Sequence, residues 1–175
     1  MGFVTPQASA GADMAMAGQT DTETAGVIAR PPLLFLAALL IGFVLDRLLR
    51  LPFPVAGNDL VTWIIGGSLM LIGFALFIAG IRNFSLAATP VPTNEPTRVL
   101  VTTGIHGWTR NPIYLGMFLI YGGIGVAAEN IWILVLTLPL AILIRYGVVA
   151  REEAYLERRF GDAYRDYRQS VRRWL

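Results

Sequence analysis

Long apolar stretches alternate with short polar, proline-rich ones along this chain, and that alternation predicts its elements. Leu33 to Leu49 is the first stretch, broken in its second half by Asp46 and Arg47. A spanning helix takes about 20 residues, so this one is short. Arg47 and Arg50 are placed to snorkel from its end, and the competing reading is a helix lying in the interface. Pro52 and Pro54 force a non-helical connector through Asn58-Asp59. Leu60 to Ile81 carries no charge and is long enough to cross a bilayer. Its Gly66, Gly67, Gly73 and Gly80 either permit close helix contact or reflect the frequency of glycine in membrane helices. Pro112 to Ala128 and Ile131 to Ala150 are two further apolar stretches joined only by Glu129-Asn130, which predicts an antiparallel helical hairpin. Pro112 suits a first helical turn, where no amide donor is needed. Arg145 precedes Glu152 by seven residues, which in a regular helix puts both on one face two turns apart.

The segments around these stretches differ in kind. Residues 1–29 are rich in Ala, Gly, Thr and Met without an apolar period, and are expected to be a disordered tail. They lack the basic start and apolar run of a signal peptide. Residues 82–109 form a polar connector interrupted by Pro90, Pro92 and Pro96. Connectors this long are functional or disordered, and this one abuts the strongest motif. Beyond Arg151 the pattern turns amphipathic, with Leu156, Phe160, Tyr164, Tyr167 and Val171 recurring at intervals of three and four. Gly161-Asp162 is expected to break that helix, Gly as the stop and Asp as the next N-cap. Eight of the fourteen arginines lie from Arg145 onward, which points this end to the cytoplasm with its aromatics against the membrane or the bundle end. The fold expected is all-α: an integral membrane bundle of about four transmembrane helices, residues 30–175, with a C-terminal amphipathic cytoplasmic helix.

Composition removes several alternatives. The chain is 55% hydrophobic and 15% charged, against about 25% charged in soluble domains, a deficit that lipid explains better than a large core. A net charge of +2 gives no electrostatic footprint for nucleic acid. With no Cys and the single His106, thiolate chemistry, disulfides and a structural zinc site are excluded, and no metal is expected. Every basic side chain is Arg, and no function is attached to that.

The chemistry gathers between Arg110 and Val171. Paired carboxylates, Glu152-Glu153, leave the last apolar helix where charge is costly without a cationic partner. Arg110, Pro112, Tyr114, Gly116, Gly123 and Asn130, then Glu152, Glu153, Leu156, Phe160, Gly161, Tyr164, Tyr167 and Val171, follow in fixed order and spacing. In that order the chain resembles the isoprenylcysteine carboxyl methyltransferase family of integral membrane enzymes, relatives of the phospholipid N-methyltransferases. The resemblance covers residues 100–175. Three positions depart from it: Asn111 stands where the family has His, Ile131 where it has Pro, and Arg159 where it has Phe; the segment Gly104-Ile105-His106-Gly107-Trp108 also lacks the Pro and Tyr often seen just before the signature. Asn111 keeps hydrogen-bonding capacity but cannot titrate.

The resemblance implies binding of S-adenosyl-L-methionine and transfer of its methyl group to a lipophilic small-molecule or lipid acceptor, such as an isoprenylcysteine-like carboxylate. The implied cofactor contacts are Arg110, Asn111, Pro112, Tyr114, Gly116, Gly122, Gly123, Glu152, Glu153 and Tyr164; Arg110, Asn111 and Tyr114 are the implied catalytic set, to which Arg145 is added on its spacing from Glu152, with snorkelling to the interface as its competing reading. Arg110 is expected to meet the donor's carboxylate, the acidic pair its ammonium group or ribose hydroxyls, and aromatic faces its cation. Glu152 and Glu153 project about 100° apart on a helix, so they serve different groups, and Glu153 is the preferred cofactor contact. His106 is expected to be a loop residue without a catalytic role. Two rivals stand beside this reading. A sterol-reductase-like enzyme would bind NADPH, whose phosphates call for clustered basic donors instead of Glu152-Glu153. A membrane scaffold would bind no nucleoside-sized ligand.

Overall fold

The computed structural model describes residues 3–4, 25–54, 59–91 and 96–175. Most of the predicted tail, the end of the Pro52–Asn58 connector and residues 92–95 lie outside them. Six α-helices carry the described chain: α1 (Pro31–Leu48), α2 (Asp59–Leu86), α3 (Pro112–Ala127), α4 (Ile131–Ile144), α5 (Ala150–Phe160) and α6 (Asp162–Ser170). One antiparallel pairing joins β1 (Phe3–Val4) to β2 (Leu100–Val101). A single π turn, Arg145–Val149, runs α4 into α5 without a break.

The chain forms two compact units: residues 29–78 with 113–145, and residues 1–28, 79–112 and 146–175. In the first unit α1 and the long α2 are apolar enough to span a membrane, and so is the continuous helix Ile131–Phe160 of which α4 is the start. Only 17% of the spanning window of α1, and the same share of α2, is buried. Leu33, Leu40, Leu71 and Phe74 are among the side chains facing outward. So much outward apolar surface is stable only in lipid. The fourth predicted span is present as α3, 16 residues, which at 1.5 Å per residue is about 24 Å, short of a hydrocarbon core of about 30 Å.

Glycine decides how α2 meets α3. A Cβ on Gly66 would lie 2.6 Å from the Gly123 carbonyl oxygen, and one on Gly73 would lie 2.6 Å from that of Gly116. The pairs are seven residues apart on each helix and run in opposite directions, so two antiparallel backbones touch at successive levels. Gly67 has nothing within 4 Å and takes no part. On the other side of the bundle, Gly42 of α1 lets Ile133 of α4 approach. Asn130, buried to 1% exposure, caps α4 by accepting from the Ile133 N–H at 3.2 Å and donates to the Gly42 carbonyl at 3.3 Å. The Trp132 indole N–H donates to the Leu49 carbonyl at 2.7 Å, closing the same end.

Two boundaries differ from the sequence reading. α2 continues past Ile81 to Leu86, because Arg82 and Asn83 are acceptable at a helix end and nothing before Ala88 stops it. Its stop is a Schellman motif, with Ala88 at φ 48° and the Thr89 N–H reaching back to the Phe84 carbonyl. The α3–α4 turn uses the same motif, with Glu129 at φ 49° and Asn130 N–H on the Gly125 carbonyl. At the far end Gly161 breaks α5 from α6 at φ 54°, as expected, but Gly161 itself is the N-cap position of α6. Asp162 lies inside that helix and pairs with Arg165 instead of capping.

Because the glycine contacts leave no room for a side chain, Gly73→Val is expected to destabilise the detergent-solubilised protein by about 1–3 kcal/mol, while Gly67→Val changes stability little. Thermal melts of the two variants, side by side with the parent, check this.

Candidate functional site

The second unit gathers the motif residues around one carboxylate. Glu153, in the first turn of α5, has a side chain 12% exposed. Arg173 binds it through both donors of its fork, Nε to Oε1 at 2.8 Å and Nη2 to Oε2 at 2.6 Å. Arg110, whose side chain is 8% exposed, adds Nη1 to Oε1 at 3.1 Å and donates to the Tyr164 hydroxyl at 3.4 Å. A carboxylate this deep is stable only with such partners. The bond from Glu153 pushes the Arg173 guanidinium further toward its charged form. Tyr164 is 1% exposed, and burial first and Glu153 second push its hydroxyl up to about 12, so it stays protonated.

The segment before α3 is strapped to the end of the chain. Arg110 N–H donates to the Arg172 carbonyl at 3.0 Å, and the Thr109 hydroxyl and the Asn111 amide both donate to the Arg173 carbonyl, at 3.2 and 3.0 Å. The strap therefore fixes Arg110 from its backbone while Glu153 fixes its head. Behind it, Leu100 of β2 packs with Phe160, Tyr164 and Tyr167, and Leu156 and Val171 close the cluster. These aromatics were expected against the membrane or the bundle end; they fold instead onto the connector, which supplies the apolar partner. Tyr155 holds the same connector by accepting from the Thr97 N–H at 2.9 Å.

His106 sits in a 3-10 turn, Gly104–Gly107, 3% exposed and edge-on to Phe84 with ring centroids 5.0 Å apart. Asn83 Nδ2 lies 3.3 Å from its Nδ1 and donates to the Thr103 carbonyl at 2.7 Å. An amide nitrogen only donates, so Nδ1 accepts and the ring proton is on Nε2. The Tyr167 hydroxyl donates to the His106 carbonyl at 2.7 Å. Burial lowers the imidazole pKa to about 4. His106 is thus a neutral packing residue, in line with the loop role expected of it.

Of the predicted site residues, Arg110, Asn111, Glu153 and Tyr164 come together in this unit. Pro112 opens α3 beside them in sequence, and Glu152 is buried at 6% exposure on the neighbouring position of α5. Tyr114, Gly116, Gly122, Gly123 and Arg145 belong to the first unit. Gly116 and Gly123 do not present open backbone there: both are pressed against α2. Gly122 has open space around it. The π turn also undoes the spacing argument for Arg145. It adds one residue to a turn, which rotates all that follows by about 100°. Arg145 and Glu152 therefore do not share the face that a regular helix gives them. Arg173 was missed by sequence reasoning. Its signal was an arginine pair, Arg172-Arg173, placed after the last amphipathic helix where no helical face explains it.

The chain belongs to the phospholipid methyltransferase family, whose model matches residues 61–163. That span reaches from the start of α2 to α6 and so takes in both units. An uncharacterized protein of Haemophilus influenzae is 59% identical over 34 residues, 19% of this chain and 54% of that protein. The chain thus spans about half the length of that relative. No solved structure matches it. This is a membrane protein of a methyltransferase family, and the match lends no support to the reductase or scaffold readings. Among the described residues no group of His, Asp or Glu is arranged to hold a metal.

A pH dependence follows from His106. Its folded pKa lies below the ordinary 6.5, so the unfolded chain binds the proton first as pH falls. The stability this gives is complete above about 6.5 and is lost as pH drops toward 4. Thermal midpoints in detergent should fall between pH 7 and pH 4.5 in the parent, and by clearly less in His106→Gln.

Proposed function

We propose that this protein transfers a methyl group from S-adenosyl-L-methionine to a lipophilic acceptor at the membrane, with the donor held in the unit built on α5 and α6. What supports the reading, beside the family, is the state of Arg110. Its Nε is buried without a partner while Nη1 is taken by Glu153 and Tyr164. A buried guanidinium donor left open calls for an anion, and the donor's amino-acid carboxylate has the right charge.

The remaining groups fit the rest of that molecule. Glu153 spends its oxygens on Arg110 and Arg173, so its first task in this proposal is to aim Arg110; a carboxylate has about four acceptor positions, which leaves one for a ligand hydroxyl or ammonium. Glu152, buried on the next position of α5, is the second acceptor. Tyr164 and Asn111 offer neutral hydrogen bonds. Tyr114 and Pro112 enter the proposal on the family pattern alone and Gly122 as the neighbour of Gly123; Arg145, whose argument was its spacing from Glu152, drops out with the π turn.

The bound donor supplies a methyl group made electrophilic by its sulfonium. What the protein then has to do is align the acceptor with it and exclude water. Tyr164, held protonated, and His106, held neutral by its packing, are poor proton acceptors for an amine. A carboxylate acceptor, such as that of an isoprenylcysteine-like compound, needs no base at all, whereas a phospholipid amine needs one of the two glutamates. The topology proposed is four spans, counting α3, with the carboxyl terminus in the cytoplasm where the donor is made.

Two measurements test the reading. Calorimetric titration with S-adenosyl-L-methionine should show Glu153→Gln weakened by about tenfold or more, the loss of one charge-assisted hydrogen bond, with Glu152→Gln weakened less. Arg173→Gln, which leaves Arg110 on Glu153, should fall between Glu153→Gln and the parent. Unchanged affinity in both glutamate variants and in the double variant removes the site. A cytoplasm-specific reporter fused after Leu175 should be active; activity only of a periplasmic reporter would move the site away from its cofactor.

A further inference from the structure

The last residues of the predicted disordered tail are docked. Ala25 is 7% exposed, and the chain turns at Gly26, whose φ of 57° side-chain-bearing residues rarely adopt. Two bonds tie this segment to the helix that carries the glutamates. The Ile28 N–H donates to the Gly147 carbonyl at 3.2 Å, and Arg151 Nη1 donates to the Gly26 carbonyl at 2.8 Å. The Ile28 side chain is 58% exposed, so the attachment there is through backbone. Gly147 is the middle residue of the π turn, and Arg151 lies one helical turn beyond it, just before Glu152. Both belong to the same compact unit as residues 25–28, Arg110 and Arg173.

A π turn is one residue of excess in an α-helix, and nothing in the residues Arg145–Val149 pins the excess where it lies. Shifted to the far side of Glu153, it would turn the residues it passed by about 100°. Each position would then go to the residue before it, so Glu152 would take the direction that Glu153 has now. Phe160 and α6 would stay where their cluster with Leu100 holds them. Arg110 and Arg173 would again meet a carboxylate. The ion pairs on Glu153 therefore do not by themselves select the present register. The bonds from residues 26–28 do select it, because the same rotation carries the Gly147 carbonyl and Arg151 away from them.

We propose that residues 25–28 are a clamp that sets the register of α5: they hold the π turn ahead of the glutamates, so that Glu153 and not Glu152 faces Arg110 and Arg173. Ile28, through its N–H, and Arg151 are positioning residues that act on Glu153 through the helix. The clamp deepens the methyl-transfer proposal by naming what chooses its acidic contact, and rests on that proposal only for the effect on the donor.

The test uses the whole chain in detergent. Ile28→Pro removes the N–H that Gly147 accepts, Ile28→Ala keeps it, and Arg151→Ala removes the donor to Gly26. Hydrogen exchange, read by mass spectrometry, should speed up by about tenfold at the amides of residues 147–153 in Ile28→Pro and in Arg151→Ala. It should stay at the parent rate in Ile28→Ala. A second measurement reads the register. In the parent, Glu153→Gln should lower the thermal midpoint less once Arg173→Gln is present, the sign of a coupled pair, while Glu152→Gln lowers it equally with or without that change. In the Ile28→Pro background the coupling should pass to Glu152. Arg151→Ala serves as the background if the proline variant does not fold. Unchanged exchange in both variants overturns the clamp, and so does coupling that stays with Glu153 in both backgrounds. S-adenosyl-L-methionine is titrated on the same samples, where the dependence of its affinity on Glu153 should pass to Glu152 in step with the coupling. No donor binding in the parent, with the coupling transferred, removes the methyltransferase reading alone; donor binding with the coupling unmoved removes the clamp alone.

Discussion

A carboxylate that must not be left alone organises the unit built on α5 and α6. Glu153 is buried enough that breaking its pairing leaves uncompensated charge, at a cost of about 3–5 kcal/mol in comparable pairs. Two guanidiniums meet it from different parts of the chain: Arg110 from the segment before α3, and Arg173 from beyond α6. Once both are in place, the backbone bonds between residues 109–111 and 172–173 follow with little further ordering. The aromatic cluster on Leu100 then has a fixed frame to pack in. Remove the carboxylate's charge and the strap, the frame and the aim of Arg110 all lose their reason.

Tyrosine is used here in three different ways. Tyr155 and Tyr167 spend their hydroxyls on the connector, one accepting from Thr97 and one donating to His106. Tyr164 touches the charge cluster through Arg110. Tyr121, in the other unit, spends its hydroxyl on nothing in the protein. Buried alike, they differ in whether the fold answers their polarity. The fold answers the first three and leaves the fourth without a partner.

The spans were legible in the sequence because lipid solvates apolar side chains on any face, so length and lack of charge are enough to find them. The α3–α4 hairpin was legible from a two-residue gap. The charge cluster was half legible: Arg110, Glu153 and Tyr164 sit in the ordered pattern, but Arg173 lies twenty residues beyond its partner, and no local rule links them. Gly116 and Gly123 were placed in the site by their family spacing, while the physical demand on them is helix contact, visible only once α2 is known to face α3. The π turn escaped entirely. Nothing in Arg145–Val149 marks it, and we have no physical account of why it forms there.

The glycine contacts give the first unit walls of unequal stiffness. α2 and α3 touch backbone to backbone at two levels, Gly66 with Gly123 and Gly73 with Gly116, and neither helix can slide or roll without a carbonyl striking its neighbour. α1 is pinned by hydrogen bonds near one end, where Asn130 takes the Gly42 carbonyl and Trp132 takes that of Leu49. Toward its start it meets α3 through the rings of Phe35, Phe118 and Tyr121. Rings yield by turning, whereas opposed carbonyls do not yield. In mechanical terms α1 rests on a rigid pair, clamped toward its carboxyl end by hydrogen bonds and seated toward its start on contacts that can turn.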